Sequence, residues 1–423
     1  MKISINKRTR NVALTLAAVS MLFSCNKDLP EADPIVTTPP TGSSIFDTIR
    51  ASGATYSYLD SAIARASTFN SPAGKLDALL KDKAAVLTFY APDNDAFQRS
   101  FQALGLPIGV STLKGFRPGQ LDTILRYHII GGEKITSASI PTAFPNSLYL
   151  QSSVIAAPPS AALPPGYRIP LFPGKQGQTT FVNNIPIVQA DIQVANGIMH
   201  RASFVVIPPD KVLWQRIATD PDLTYLKAAV EKADEGNADK PLQSALSFPL
   251  ANLTLFAPSN LAFQQLLTAA ITQALIAIGV PPADAAAQAA ALASTPDVFK
   301  NPALASVLTP QKVGGIVLYH LLAKKSGTAF DGIRVFSVNI PSTETSSVTL
   351  LNSADPALAT HPGVVLKATY GFAGVIAITV KGLVNSTASN VAINPTPAPG
   401  GTSDQHYVNG TLHKIDQVLL PLQ

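Results

Sequence analysis

The chain has 423 residues and a formal net charge of +5, and its charged residues make up 13% of the total, about half the usual share of ~25%. Four of the cations, Lys2, Lys7, Arg8 and Arg10, lie in residues 1–24, so the rest of the chain is close to neutral and has no basic patch that could neutralise many phosphates. Nucleic acid is therefore not expected as a partner, and the single cysteine excludes an intrachain disulfide.

The first 25 residues have the pattern of a bacterial export signal. A basic start precedes an apolar run over residues 12–23, which is shorter than the ~20 residues needed to span a bilayer. The run ends in LFSC, which resembles the lipobox of bacterial lipoproteins. This resemblance implies that residues 1–24 are removed and that Cys25 is acylated, which gives a lipid anchor in the membrane. We therefore expect a location in the cell envelope, at the outer membrane, facing the periplasm or the cell surface. The alternative is a soluble secreted protein with an incidental cysteine.

Residues 25–43 contain the lipidated cysteine and a spacer rich in proline and threonine. Pro30, Pro34, Pro39 and Pro40 exclude a helix and favour an extended, polyproline-like geometry. We expect this spacer to hold the folded part of the chain away from the membrane.

After the spacer, three sequence blocks occur twice in the same order. TFYAPDNDAF at residues 88–97 returns as TLFAPSNLAF at 254–263, RYHII at 126–130 as LYHLL at 318–322, and NGIMH at 196–200 as NGTLH at 409–413. Ordered repetition of this kind predicts two tandem domains, at residues 44–209 and 210–423. The second domain is longer because it carries an Ala-rich and a Pro/Gly-rich insertion.

The same order of elements is predicted within each copy. A helix comes first, at about residues 45–66 and 212–232, followed by a short strand, a helix, a second short helix and alternating strands. The Ala-rich insertion at residues 264–294 contains Pro281 and Pro282, and it predicts two helices or one helix with a break.

The first block predicts a strand that turns directly into a helix. Pro92 ends the strand because proline cannot donate to a β-ladder, and Asp93 is a good N-cap, as is Ser259 in the second copy. Phe97 and Phe263 each follow four residues after the cap, so we expect both to point into the core.

Together the three blocks resemble the fasciclin-like domain, an extracellular adhesion module, and the resemblance covers nearly all of the chain from about residue 44. It implies an α+β fold with two tandem domains, each a bent β-sandwich or wedge with helices packed on one side. In such domains a Tyr-His pair is often linked to cell adhesion, and this carries over to Tyr127 and His128 and to Tyr319 and His320. The alternative is that each pair is buried and hydrogen-bonded, which the apolar residues after each pair favour.

The third block predicts a tight turn followed by a strand. Asn196 and Asn409 each precede a glycine, and Asn-Gly supplies positive φ at low cost. His200 and His413 then lie on the strand, where they can hydrogen-bond the backbone. No carboxylate or cysteine lies at the usual ligand spacing from these histidines, so neither a metal site nor a cofactor is expected.

No sequence motif of catalysis is present, whether a nucleophile elbow, a zinc-binding H-E-x-x-H, a P-loop or a dinucleotide fingerprint. We therefore expect a non-enzymatic, membrane-anchored adhesion or binding lipoprotein that contacts a protein, matrix or glycan ligand. The alternative is a ligand-capture accessory of an outer-membrane nutrient-uptake system. That function would need a concave apolar pocket with a few polar groups, between the domains or under the insertions.

Overall fold

The computed structural model of the chain describes residues 41–142, 144–145, 150–155, 167–371, 374–394 and 400–421. The signal, Cys25 and nearly all of the spacer lie outside the described residues, as do parts of the Pro-rich insertions. Within the described ranges, no helix is both long and apolar enough to cross a membrane. Residues 41–423 form one compact unit.

The first half of this unit combines helices with one large sheet. Its helices are α1 (Ile45–Ala51), α2 (Gly53–Ala66), α3 (Leu76–Lys81), α4 (Asn94–Ala103) and α5 (Pro118–Tyr127). Its strands are β1 (Leu87–Pro92), β2 (Ile129–Gly131), β3 (Leu150–Ile155), β4 (Arg168–Leu171), β5 (Pro173–Gln176), β6 (Thr179–Val182), β7 (Ile185–Val194) and β8 (Gly197–Ala202). The strands are ordered β4-β3-β2-β1-β8-β7-β6-β5, and β1 and β8 are parallel.

The second half uses similar elements, divided among smaller sheets. Its helices are α6 (Leu213–Thr219), α7 (Thr224–Ala233), α8 (Pro241–Ser247), α9 (Asn260–Ala277), α10 (Pro282–Leu292), α11 (Pro310–Tyr319) and α12 (Leu351–Ala354). Its strands are β9 (Leu253–Pro258), β10 (Ala323–Ser326), β11 (Ala329–Gly332), β12 (Thr345–Ser347), β13 (Val364–Gly371), β14 (Gly374–Lys381), β15 (Ser389–Asn390), β16 (Gln405–Tyr407) and β17 (Gly410–Ile415). Strands β9 and β17 are parallel, as β1 and β8 are. The predicted α+β content is confirmed.

The predicted first helix of each copy is in fact two helices. In the first half the break lies at Ser52, whose backbone N–H bonds to the carbonyls of Thr48 and Ile49 and ends α1. In the second half α6 ends at Asp220 because Pro221 follows, and the residue before a proline is disfavoured in the helical region. The Ala-rich insertion forms the two helices α9 and α10.

The strand-to-helix corner is confirmed in both halves. The Asp93 carboxylate accepts from the Ala96 N–H over 2.7 Å, and the Ser259 hydroxyl accepts from the Ala262 N–H over 3.2 Å. Phe97 and Phe263 are each 3% exposed, as residues of the core. The two corners therefore have the same cap and bury the same side chain.

The parallel strand pair in each half requires a glycine at its start. A Cβ atom at Gly197 would lie 1.9 Å from the Leu87 carbonyl oxygen, and one at Gly410 would lie 2.8 Å from the Leu253 carbonyl oxygen. The glycine of each NG block therefore permits close approach of two backbones, which a larger residue would prevent.

The two halves pack against each other through aromatic side chains. Phe172 and Phe181 of the first half form a buried cluster with Phe336 and Val338 of the second half. The ring centroids of Phe172 and Phe336 are 6.0 Å apart, which is within the range of favourable aromatic pairs. This cluster explains why residues 41–423 form one compact unit.

Candidate functional site

His128 ends α5 and is completely buried. Its Nε2 accepts the Val206 N–H over 2.9 Å, so the ring proton is on Nδ1, which donates to the Ile124 carbonyl over 2.8 Å. Burial lowers the pKa of His128 to about 4, although the hydrogen bond to Ile124 opposes this shift. The ring is therefore neutral, and both of its nitrogens are bonded to the backbone.

His320 makes the same contacts at the end of α11. Its Nε2 accepts the Leu419 N–H over 2.9 Å, and its Nδ1 donates to the Ile316 carbonyl over 2.7 Å. Burial lowers the pKa of His320 to about 4 as well. Each histidine therefore links the last turn of its helix, by hydrogen bonds, to a later segment of the same half.

The tyrosines of the two pairs are also completely buried. The Tyr127 hydroxyl donates to the Pro170 carbonyl over 2.9 Å. The Tyr319 hydroxyl donates to the Gly363 carbonyl over 2.5 Å and accepts the Leu383 N–H over 3.0 Å. Burial raises the pKa of both tyrosines. Neither Tyr-His pair offers a side chain to the surface, and a role in ligand contact stays a prediction.

Asn196 joins three segments of the first half. Its Oδ1 accepts the Ile45 N–H over 2.8 Å, and its Nδ2 donates to the carbonyls of Leu80 and Asp82 over 2.9 and 3.1 Å. The side chain is completely buried, and its bonds to Ile45 and Leu80 satisfy buried backbone groups.

Asn409 has the same role in the second half. Its Oδ1 accepts the Leu213 N–H over 2.8 Å, and its Nδ2 donates to the Leu246 carbonyl over 2.9 Å. The predicted turn and following strand are confirmed in both blocks, but the asparagines do not supply the positive φ. Each is the second residue of a two-residue turn, and its amide, rather than its backbone conformation, explains its position.

His200 belongs to a hydrogen-bonded group with Asp191 and Ser137. Asp191, at φ 61°, donates its N–H to His200 Nδ1 over 3.2 Å, and its carboxylate accepts from the Ser137 N–H and hydroxyl over 2.8 and 2.5 Å. His200 Nε2 donates to the Ile135 carbonyl over 2.8 Å. Burial raises the pKa of Asp191, but the bonds from Ser137 outweigh it and lower that pKa overall.

His413, Asp404 and Ser337 repeat this group in the second half. Asp404, at φ 52°, donates its N–H to His413 Nδ1 over 3.3 Å and accepts twice from Ser337, each time over 2.6 Å. His413 Nε2 bonds to the Val335 carbonyl over 3.0 Å. Left-handed backbone is costly for residues other than glycine. Its recurrence at both aspartates shows that the surrounding bonds hold it in place.

These groups contain serine, histidine and aspartate but have no geometry for nucleophilic catalysis. The imidazole bonds only to backbone atoms, so it cannot take a proton from the serine hydroxyl, and the carboxylate does not orient the imidazole. Within the described part of the chain, no three or more His, Cys, Asp or Glu side chains are placed to hold a metal ion.

Sequence reasoning missed two polar residues at the contact between the halves. Arg334 is 2% exposed, and its guanidinium lies 4.6 Å from the Phe172 ring centroid and donates to His406 Nε2 over 2.9 Å. His406 Nδ1 lies 3.5 Å from the Tyr127 hydroxyl. Burial, and secondly Arg334, hold the pKa of His406 well below its usual value. The matching positions in the first half are Lys134 and Gln193, which are exposed. An alignment of the two repeats shows that both residues differ at these positions, and this difference is the sequence signal that could have indicated Arg334 and His406.

A cleft of about 240 Å³ opens where the halves meet. The first half contributes Asn184 and Ile185, residues 205–211 connect the halves along its side, and the second half contributes Arg216 and Tyr407. The cleft therefore exists only because the two halves are packed together.

A second cavity, of about 650 Å³, lies beside α7 in the second half. Its charged side chains are largely engaged with the protein. Lys232 pairs with Glu235 over 2.5 Å, and the Asp234 carboxylate accepts the N–H groups of Leu242 and Gln243. The Asp234 carboxylate therefore caps the start of α8, and few charged groups of this cavity remain available to bind a ligand.

Comparisons with known proteins identify a domain in part of the chain. Protein sll1483 of Synechocystis sp. is 32% identical over 124 residues, which are 29% of this chain and 55% of that protein, so the chain spans about half the length of this curated relative. A FAS1 domain pair from the insect cell adhesion molecule Fasciclin I is 15% identical with a TM-score of 0.27, over 85% of this chain and 95% of that one. The Fasciclin domain family matches residues 66–208, and a fasciclin domain is therefore present in the chain.

Proposed function

We propose that the chain is a non-enzymatic adhesion or binding lipoprotein of the cell envelope, with two tandem fasciclin-like domains at residues 44–209 and 210–423. The anchor would be acylated Cys25, and the ligand a protein, a matrix component or a glycan. The fasciclin domain within residues 66–208 supports an adhesion or binding function.

The observation that carries the proposal is the repetition of the buried framework outside the matched region. His320, Asn409 and His413 make the bonds that His128, Asn196 and His200 make in the first half. Shared bonds at matched positions favour a second copy of the same domain. Because these side chains are buried, we expect a ligand to bind other residues, on the surface of the two domains.

The adhesion proposal is tested by attachment of living cells. Cells that lack the gene are complemented with the wild-type chain or with Cys25→Ala, and Asn26→Ala is the control that keeps the cysteine. We expect wild type and Asn26→Ala to restore attachment to neighbouring cells or matrix, and Cys25→Ala to fail to restore it. Equal attachment in all strains, including the strain without the gene, would contradict the adhesion proposal.

The cleft between the halves favours a second candidate, ligand capture for a nutrient-uptake system. Ile185, Ile207 and two prolines give it an apolar wall, and Asn184 and Tyr407 add polar groups. An apolar concavity with a few placed polar groups is the usual form of a small-molecule site. Growth on a limiting nutrient, with and without the gene, tests this candidate, and equal growth on every nutrient would contradict it.

A further inference from the structure

We propose that the cleft between the two halves binds one neutral sugar ring, as a single unit of a glycan or as a free monosaccharide. This inference rests on the ligand-capture candidate and gives it a ligand class. The adhesion proposal does not depend on it.

The size of the cleft limits the ligand. Its volume of about 240 Å³ is below the ~300 Å³ at which pockets for drug-sized molecules begin. A single six-membered ring with its hydroxyls is of suitable size, whereas a folded peptide segment is too large. Longer glycans would place one unit in the cleft and extend into solvent.

One side of the cleft is apolar. Ile185, Ile207, Pro208 and Pro209 line it, and Ile207 is 37% exposed although the neighbouring Val206 is buried. A pyranose ring has an apolar face formed by its C–H groups, and contact with such a wall removes apolar surface from water on both partners.

The other side offers hydrogen-bonding groups that the protein does not use. Within the described residues, no protein group bonds to the Asn184 amide or to the Tyr407 hydroxyl. An asparagine amide both donates and accepts, which suits two neighbouring sugar hydroxyls. Burial raises the pKa of Tyr407 to about 12, so its hydroxyl keeps its proton.

The charges around the cleft favour a neutral ligand. Arg216 pairs with Asp220 over 2.7 Å, and Asp404 is engaged by Ser337. Asp210 and Lys211, which are exposed, carry opposite charges side by side. The charged lining residues are two cations, Lys211 and Arg216, and two anions, Asp210 and Asp404, so a charged ligand would find no net opposite charge and would lose its own hydration on entry.

The test is saturation-transfer NMR on the full mature chain in detergent. The neutral probes are glucose, galactose, mannose and N-acetylglucosamine, and the charged probe is glucuronate. We expect at least one neutral sugar to bind with a Kd of about 1 mM or tighter. Tyr407→Phe, which removes only the hydroxyl, should weaken binding about threefold to tenfold. Asn184→Trp, which fills the cleft, should abolish binding, while Asn237→Trp, at an exposed position outside the cleft, should not.

Three results would overturn the inference. No binding of any neutral probe would exclude a sugar site, and stronger binding of glucuronate would exclude a neutral one. Unchanged binding by Asn184→Trp, with its melting temperature intact, would place the site outside the cleft. Cell attachment by Asn184→Trp separates the proposals, because adhesion should survive when sugar binding is lost.

Discussion

His128 and His320 lie at equivalent places in the two halves, since each accepts a backbone N–H at Nε2 over 2.9 Å and donates from Nδ1 to the carbonyl four residues earlier. The bonded protein atoms leave no free nitrogen on either ring. The motif that resembles an adhesion determinant is therefore, in this chain, part of the buried framework, and that framework predicts how the protein responds to pH and to substitution.

Acid should destabilise the protein between pH 6.5 and about pH 4. The pKa of His128 and of His320 is lowered from 6.5 to about 4 in the folded state, so the unfolded chain binds protons in this window while the folded chain does not. Stability is complete above pH 6.5 and decreases as the pH falls to 4. The free energy of unfolding of wild type and of His128→Gln, measured with denaturant across this pH range, tests this prediction. The free energy should fall less steeply with decreasing pH in the variant than in wild type. Burial also lowers the pKa of His200, His361 and His406, so these rings add to the loss of stability, and the difference between wild type and His128→Gln isolates the part due to His128. Asp191 and Asp220 act below pH 3.8, outside the window. A flat profile from pH 6.5 to 4 would contradict the assignment of two neutral, buried rings.

Loss of either bridging asparagine should destabilise the fold. Asn196→Ala leaves the buried Ile45 N–H and Leu80 carbonyl without the Asn196 side chain as a partner, and each unsatisfied buried group costs about 1–3 kcal/mol. The free energy of unfolding should fall similarly in Asn409→Ala. Asn237→Ala, at an exposed position, is the matched control and should change little. If Asn196→Ala were as stable as this control, the bridging role would be wrong.

Gly197→Ala should also destabilise, because its new methyl group would collide with the Leu87 carbonyl oxygen. Overpacking of this kind costs about 1–3 kcal/mol or more, since backbone must move. Gly53→Ala is the control, because Gly53 begins α2 and a Cβ there meets nothing within 4 Å. The free energy of unfolding should be unchanged or raised in the control. A Gly197→Ala protein of wild-type stability would show that the two strands are not so closely paired.

The aromatic contact should make the two halves unfold together. Phe336→Ala removes a fully buried ring between the halves and should cost about 3–5 kcal/mol. Calorimetry should then show two thermal transitions where the wild type shows one. Phe101→Ala, in the core of the first half, should lower stability without separating the transitions. Coincident transitions in Phe336→Ala would mean that other contacts couple the halves.

Local chemistry explains which features could be predicted from sequence. The cap at Asp93, the burial of Phe97 and the burial of His128 depend on neighbours within a few residues, and all are visible in the residue pattern. The break between α6 and α7 also has a local signal, Pro221, which the expectation of a single helix over residues 212–232 overlooked, whereas the break at Ser52 has no comparable signal. The sequence indicates that Asn196 matters, but it predicts a role in the turn and not the bridging hydrogen bonds of its side chain. Those bonds could not be predicted because their partners lie more than a hundred residues away.

The contact between the halves could not be predicted from local pattern. Tyr127 and His406 are 279 residues apart, and nothing near either residue indicates the other. The same is true of the cleft, whose walls come from both halves. A partial signal exists in the comparison of the copies, since Arg334 and His406 replace exposed residues of the first half. A buried residue that departs from its repeat partner indicates a contact specific to one copy.

The most direct test of the account measures stability and attachment on one variant, His128→Ala. The substitution leaves the Val206 N–H without its acceptor inside the core, so we predict a lower unfolding midpoint, with Gln193→Ala as the exposed control. Below that midpoint, where the variant remains folded, we predict that attachment per folded molecule equals that of wild type. Unchanged melting together with lost attachment would contradict the account, since it would show that His128 contacts the ligand and does not hold the fold.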